Sequence, residues 1–440
     1  MPRHQDIKIP DTQPYRLENA SVPSVCLVTT PMGAPVDSEG GVRVDLVVDN
    51  GNIAEITAAG SERRPMESVD LQHRQVWPTL VDMHTHLDKG HVLHRLRATA
   101  SLDDAFRATA QDRQQWTADD LARRMGFGLR CAYVHGVSVV RTHIDSLEGC
   151  PELAFEVFDD LRREWAGRIE LQAVAIVGLD VFLGNYGVYL AGLVAKHGGI
   201  LGGVTDALAQ DASGVYSNAN LALDKLLELA ARFGLDVDLH VDQSNDPAAF
   251  CLPAIAQAVL RSRFEQRVVC GHCVNLALQP AAEADRAIGL ARDAGLAFVT
   301  LPAPMMYLMD RQAGRTPRWR GVTLAQELRA AGVPIAIAGD NCRDAWYPYG
   351  DHDMVDTLRQ AVRVFQMDDP EAVALAGPVP ADIVGATSAG RVRVGAAAKL
   401  ILFSAKSYNE IMCRAQSDRI VLDRGQRVTM PLPEYEEIGL

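Results

Sequence analysis

The tripeptide His84-Thr85-His86 closes an apolar run that begins at Val76. In an extended strand residues i and i+2 point to the same side, so both imidazoles can face one metal ion. Two later apolar runs also end in histidine: His240 follows Val237-Asp238-Leu239, and His272 closes 267–272. Asp340 follows Ile335-Ala336-Ile337-Ala338-Gly339. His84, His86 and His240 as neutral imidazoles, with the Asp340 carboxylate, make a donor set that suits one divalent metal ion, Zn2+ or Fe2+. An open coordination position would hold water and lower its pKa toward neutrality. Asp340 is expected to touch the metal and to accept the water proton. His272 is expected to stabilise the developing oxyanion or to relay a proton.

Residues so far apart in the chain meet only if a regular framework gathers them. From about 75 to 390 the chain alternates short apolar runs with longer amphipathic stretches. The runs are 76–84, 137–145, 169–177, 200–205, 236–242, 267–272, 297–302 and 334–340. Between them lie helical patterns such as 221–233, closed by Gly234 as a C-cap. This alternation predicts an α/β fold, a distorted TIM (β/α)8 barrel, whose active site lies at the C-terminal ends of its strands. His84 and His86, His143 and Asp145, His240 and Asp242, His272 and Asp340 all fall at those ends.

The flanks read differently. Residues 42–48, the turn Asp49-Asn50-Gly51-Asn52 and residues 53–56 predict a hairpin. Residues 399–403 form a short apolar run, and 419–428 read as a second hairpin. The two chain ends are expected to pair into one small β-sandwich. The expected division is 1–74 and 391–440 for the sandwich and 75–390 for the barrel.

Composition narrows the class. Forty-three basic residues against 56 acidic ones give a net charge of −13, which argues against a nucleic-acid partner. No apolar run approaches the roughly 18 residues of a membrane span. Met1-Pro2-Arg3-His4-Gln5-Asp6 carries no apolar signal segment, so a cytoplasmic location is expected. Cys26, Cys131, Cys150, Cys251, Cys270, Cys273, Cys342 and Cys413 are then expected to be reduced thiols. Cys270-Gly-His-Cys273 has the spacing of half a zinc site, but no second ligand pair stands at a suitable distance.

Several phrases carry a resemblance: His86-Leu87-Asp88-Lys89, Arg141-Thr142-His143-Ile144-Asp145, Leu239-His240-Val241-Asp242, Gly271-His272-Cys273, and Gly339-Asp340-Asn341 followed by 344–350. In type and order they resemble the amidohydrolase superfamily, more narrowly its cytosine-deaminase-like branch, over about residues 20–430. The resemblance implies that His84, His86, His240 and Asp340 hold the metal and that His272 is the catalytic histidine. It also implies a small-molecule substrate and a homo-oligomer. Many members of the superfamily hold two metals bridged by a carboxylated lysine near the end of strand four. Here 200–206 offers no lysine, so one metal is expected.

Three departures bear on substrate. Deaminases of this branch place a proton-shuttling glutamate three residues after the strand-five histidine. Here that residue is Gln243, whose amide cannot titrate but can orient substrate. Asp242 points to the opposite side of an ideal strand from Gln243. The pyrimidine-binding glutamine expected after strand three is absent from 175–180, so cytosine itself is not the expected substrate. Lys89 follows His86 by three, and triazine-processing enzymes such as N-isopropylammelide isopropylaminohydrolase resemble this pattern. Lys89 is expected to bind a carbonyl or anionic ring oxygen.

Further pocket candidates are Asn341 for hydrogen bonding, Trp346 and Tyr347 for stacking on a planar ring, and Met305 in a loop over the mouth. His143 and Asp145 are expected to orient a ligand imidazole. His91, His94 and 111–116 read as solvent-exposed. The expected reaction is hydrolysis of a C–N bond in a small N-heterocycle, with loss of an amine or ammonia. The alternatives are hydrolysis of a cyclic or other amide by the same chemistry, or a non-catalytic binding protein on this scaffold.

Overall fold

A computed structural model describes residues 7–439 apart from 63, 97, 98, 100, 150, 213, 214, 313, 416 and 417; Cys150 thus lies outside the described residues. Its strands are β1 (Tyr15–Pro23), β2 (Gly41–Asp49), β3 (Asn52–Ala58), β4 (Glu67–Asp70), β5 (Val76–Pro78), β6 (Leu80–Thr85), β7 (Val137–Asp145), β8 (Glu170–Ile176), β9 (Ile200–Val204), β10 (Val237–Val241), β11 (Val268–His272), β12 (Ala297–Thr300), β13 (Ile335–Ile337), β14 (Leu400–Leu402), β15 (Ile420–Asp423) and β16 (Gln426–Arg427). The chain divides into two compact units. One is Met1–Asp82 with Arg130–Val139 and Asp353–Pro433, the other Met83–Leu129 with Val140–His352 and Glu434–Leu440.

The first unit holds two four-stranded sheets, in the orders β3-β2-β1-β4 and β16-β15-β14-β5. Asn50 and Gly51, at φ 49° and 77°, make the tight turn between β2 and β3. The apolar faces of both sheets meet in one core that includes Tyr15, Leu17, Leu46, Ile53, Leu400 and Leu422. The expected sandwich therefore draws one sheet from the N-terminal segment and most of the other from the C-terminal segment. The boundaries differ from those expected. The run 76–84 breaks at Thr79: Val76–Pro78 pairs antiparallel with β14, Trp77 facing Ile401, and only the remainder enters the barrel sheet. A proline, which has no N–H to donate, marks the break. The stretch 353–390 likewise groups with this unit, where the 3-10 turn Pro370–Ala376 packs on β1.

The eight central strands form a parallel sheet in simple sequence order, β6 to β13. Helices such as Pro151–Glu164, Asn185–Lys196, Ala219–Phe233, Leu252–Ser262 and Ala281–Asp293 alternate with the strands. Strands covered on both faces read as continuous apolar runs rather than alternations. Gly234 ends its helix with φ 68°, its N–H turned back to Ala230 and Ala231. The sheet closes at its rim, where Thr85 bridges Asp340 in parallel register. Among the described residues no helix is long and apolar enough to cross a membrane.

Candidate active site

The C-terminal ends of the strands bring the predicted residues together. His84 lies within β6 and His86 just beyond it, both buried, with ring centroids 5.4 Å apart. Room for His84 comes from Gly271 on β11: a Cβ there would lie 3.2 Å from the His84 ring. His240, from β10, places Nε2 3.3 Å from Nε2 of His86. Asp340 Oδ1 lies 3.2 Å from Nε2 of His86 and 3.7 Å from Nε2 of His84. A tetrahedral zinc ion with bonds near 2.0–2.1 Å has donor–donor edges of about 3.3 Å.

The charge state of the donors also suits a metal. Burial first, then the neighbouring imidazoles and Lys89, push His86 and His240 well below the usual histidine range; burial and the surrounding imidazoles do the same to His84. Neutral rings keep the lone pairs that coordination needs. Two buried groups of donors share His84 and could each hold a metal ion: His84, His86 and Asp340, and His84, His143 and His240.

His272 reaches this cluster against its own strand's alternation. In the parallel register of β10 and β11, His240 stands beside Gly271, and His272 beside Val241. Aligned positions face the same side, so regular geometry would turn His272 away from the cluster. Instead His272 adopts φ 68°, a costly conformation for a non-glycine residue. Its ring comes to 4.8 Å from His240 and 5.2 Å from His84. Nδ1 meets Met305 Sδ at 3.2 Å, while the buried Nε2 has no hydrogen-bond partner among the described residues. Asp242 and Asp340 share the left-handed backbone, at φ 54° and 63°.

Around the cluster lies a cavity of about 500 Å³, bordered by His86, His240, His272 and Asp340 and further by Lys89, Gln243, Met305, Asn341 and Trp346. This falls in the range of small-molecule sites. Lys89 is buried; its Nζ lies 3.4 Å from Asp145 Oδ1 and 5.3 Å from the centre of the Trp346 ring. Burial pulls the Lys89 ammonium down, but Asp145, Asp88, Asp344 and Asp340 together hold it above the usual lysine range. Trp346 packs edge-on against Phe106 and donates Nε1–H to Thr109 Oγ1 at 3.1 Å. Asn341 donates its amide to Asp344 Oδ2 at 2.7 Å, so its amide oxygen remains as the group available to a ligand.

Several expectations need correction. Tyr347 does not border the cavity; its ring packs with Tyr307 and Tyr349. Asp145 does not orient a ligand imidazole but pairs with Lys89 and Arg113. His143 is more central than a supporting role implied. Its ring is 4.0 Å from His84, and its nitrogen converges with those of His84 and His240. Its position at the end of β7, matching the other histidines, was the available signal. His91 is buried, not exposed: its ring packs against Phe127 and His352, and its N–H donates to the Cys342 carbonyl at 3.1 Å. Within 111–116, Asp112 is buried and bonded to Arg95 and Trp116, and Arg113 borders the cavity. Arg113 was missed because a lone helical arginine has no distinguishing pattern.

Asp242 keeps out of the cavity as expected. Its carboxylate accepts the N–H groups of Cys251 at 2.9 Å and Leu252 at 3.0 Å, at the start of the helix Leu252–Ser262. Among the described residues Cys270 and Cys273 belong to no group of converging metal donors.

A closed parallel barrel with buried imidazoles and a carboxylate gathered at its strand ends is the arrangement of a (β/α)8 enzyme whose site could hold a metal ion. The sequence comparisons agree. Residues 162–428 match the amidohydrolase family, and the chain is 44% identical over 436 residues to a pterin deaminase of Rhizobium rhizogenes, covering 98% of this chain and 97% of that protein. This protein belongs to the amidohydrolase family and is an enzyme that hydrolyses C–N bonds. Its fold is similar to that of a 5-methylcytosine deaminase from Klebsiella pneumoniae solved with 5-fluorocytosine, with a TM-score of 0.80 and 22% identity over 95% of this chain and 98% of the other. It is also similar to N-isopropylammelide isopropylaminohydrolase from Burkholderia multivorans, with a TM-score of 0.74 and 22% identity over 95% and 98% of the two chains.

Proposed function

We propose that this enzyme deaminates a pterin: water replaces the amino group at C2 of a 2-amino-4-oxopteridine, and ammonia leaves. The observation that carries this reading is the 44% identity to the pterin deaminase across 98% of the chain. The cavity supports it, joining a carboxylate, a histidine and a lysine to an indole and a thioether that suit a flat ring.

His84, His86, His240 and Asp340 would hold one zinc or ferrous ion, since β9 (Ile200–Val204) offers no lysine to bridge a second. When bound, such an ion polarises water and the carbon under attack. Asp340 then accepts the proton of the attacking water. His272 presents Nε2 to the developing charge, with Nδ1 set against Met305. Lys89 donates to a ring oxygen or nitrogen, and its cation favours negative charge building in the ring. Gln243 cannot shuttle a proton, so the proton for departing ammonia comes from Asp340 or His272. Its amide instead pairs with the ring's alternating N and N–H groups.

Ammonia release is measured with pterin, cytosine, an aminotriazine and a cyclic amide on the purified enzyme. Release from pterin well above the others supports the reading. Ring opening of the cyclic amide without ammonia overturns it in favour of amide hydrolysis. Metal analysis separates zinc from iron, and sedimentation tests the homo-oligomer. A cytoplasmic setting, with its reducing conditions, accords with the buried thiols of Cys26, Cys251 and Cys342.

A further inference from the structure

A second group of donors lies outside the cavity. His91 comes from the loop after β6, and Cys342 and His352 from the one long loop after β13; all three are buried, and their donor atoms lie within 4.8 Å of one another. They share no residue with the group at the strand ends. Nε2 of His91 is 3.1 Å from Nε2 of His352, close to the roughly 3.3 Å edge of a tetrahedral zinc site. A simple N–H···N hydrogen bond would account for these two nitrogens. The Cys342 sulfur also takes a hydrogen bond from the His352 backbone, but neither bond accounts for the buried Nδ1 of His91, which lacks a hydrogen-bond partner among the described residues.

The backbone around the group is shaped to create it. His91 and His352 both adopt the left-handed region, at φ 59° and 52°, conformations that cost energy for non-glycine residues and concentrate at ligand clamps. Gly128, inside the helix Ala118–Val134, keeps the space open: a Cβ there would come within 2.9 Å of His352 Nε2.

We propose that His91, Cys342 and His352 form a second metal site, structural rather than catalytic, for a zinc-like ion that accepts two imidazoles and a thiolate. On binding, the thiol proton of Cys342 leaves to solvent and the sulfur joins the ion. A fourth position remains for water. The site clasps the loop after His86 to the loop after Asp340, already joined by the bond from His91 N–H to the Cys342 carbonyl. It thereby holds the barrel seam where two residues of the active site attach.

The full chain is loaded with Zn2+ alone and, separately, with Co2+ alone. Wild type is expected to bind one more ion per chain than Cys342→Ser or His91→Asn. The cobalt form is expected to show thiolate-to-cobalt charge-transfer absorption, lost in Cys342→Ser and retained in Asp340→Asn. The Asp340 cluster contains no thiol, so this absorption reports the second site independently of activity. Absence of the absorption from cobalt-saturated wild type overturns the proposal and leaves a hydrogen-bonded histidine pair. If Cys342→Ser does not fold, the wild-type spectrum and the ion count of His91→Asn decide the matter.

Discussion

The backbone N–H of Asp340 donates to the carbonyl of His84 at 2.8 Å, and the Thr85 hydroxyl donates to the Asp340 carbonyl at 2.9 Å. Through these bonds the last strand end of the barrel grips the first. The carboxylate and the first imidazole of the proposed metal cluster are thus placed by the closure of the sheet.

Because the main chain makes those bonds, Asp340→Asn keeps the seam and removes only the proton acceptor and anionic ligand. Its kcat is expected to fall by about 10²–10⁴-fold, with a thermal midpoint close to wild type. Chelation of wild type is expected to abolish turnover, and a divalent ion to restore it. Full turnover by metal-free wild type would contradict the role given to the cluster.

Lys89 offers the cavity a charged donor at close range. Hydrogen bonds to charged groups contribute about 1.5–3 kcal/mol, so Lys89→Met is expected to lower kcat/KM for the substrate by about 10–100-fold. Lys89→Arg is not expected to restore it, since a planar guanidinium does not reproduce a compact ammonium. Steady-state kinetics on both variants, with circular dichroism to confirm folding, test this; unchanged kcat/KM in Lys89→Met would remove Lys89 from substrate binding.

Arg124 is fully buried. Its guanidinium donates to Asp120 at 2.9 and 2.7 Å, to the Gly90 carbonyl at 3.1 Å and to the Asp88 carbonyl. It therefore holds the loop that carries His86 and Lys89. Arg124→Ala leaves those carbonyls without the guanidinium, and breaking a buried ion pair from one side costs about 3–5 kcal/mol. A fall in thermal midpoint is expected, larger than for Arg123→Ala, whose side chain is more than half exposed. Equal midpoints for the two variants would refute the argument.

Asp344 gives a pH signature. Burial raises its carboxyl from 3.8 to about 6, against the lowering effect of its bonds from Tyr347, Asn341 and Trp346 and of the Lys89 charge. A carboxyl raised on folding contributes stability that is full below its unfolded pKa and is lost as pH climbs through the folded one. The midpoint of wild type relative to Asp344→Asn should therefore decline between about pH 4 and pH 6 and then level off. A pH-independent difference would show that folding does not raise the Asp344 carboxyl.

Much of this was legible in the chain. Continuous apolar runs mark strands covered on both faces, and a polar residue that ends such a run stands at the catalytic rim of a parallel barrel. That local rule found His84, His86, His240, His272 and Asp340 without coordinates. Lys89 was legible from its spacing to His86. Burial, strand assignment and side-chain packing were harder. Trp346 and Tyr347 are neighbours with the same chemistry, yet one borders the cavity and the other packs with tyrosines. Val76–Pro78 read as part of a barrel strand but pairs with β14, more than 300 residues later in sequence.

The sequence alone determined which donors exist and which strand end each occupies, because residue type and periodicity are local properties. Tertiary structure decided which way they point and what they meet. Alternation along β11 turns Gly271 inward and His272 away; only the left-handed turn at His272 reverses this. His91, Cys342 and His352 carry no shared motif and meet because the loops after β6 and β13 converge. Such encounters depend on backbone angles and long-range closure, which pattern along a chain does not encode.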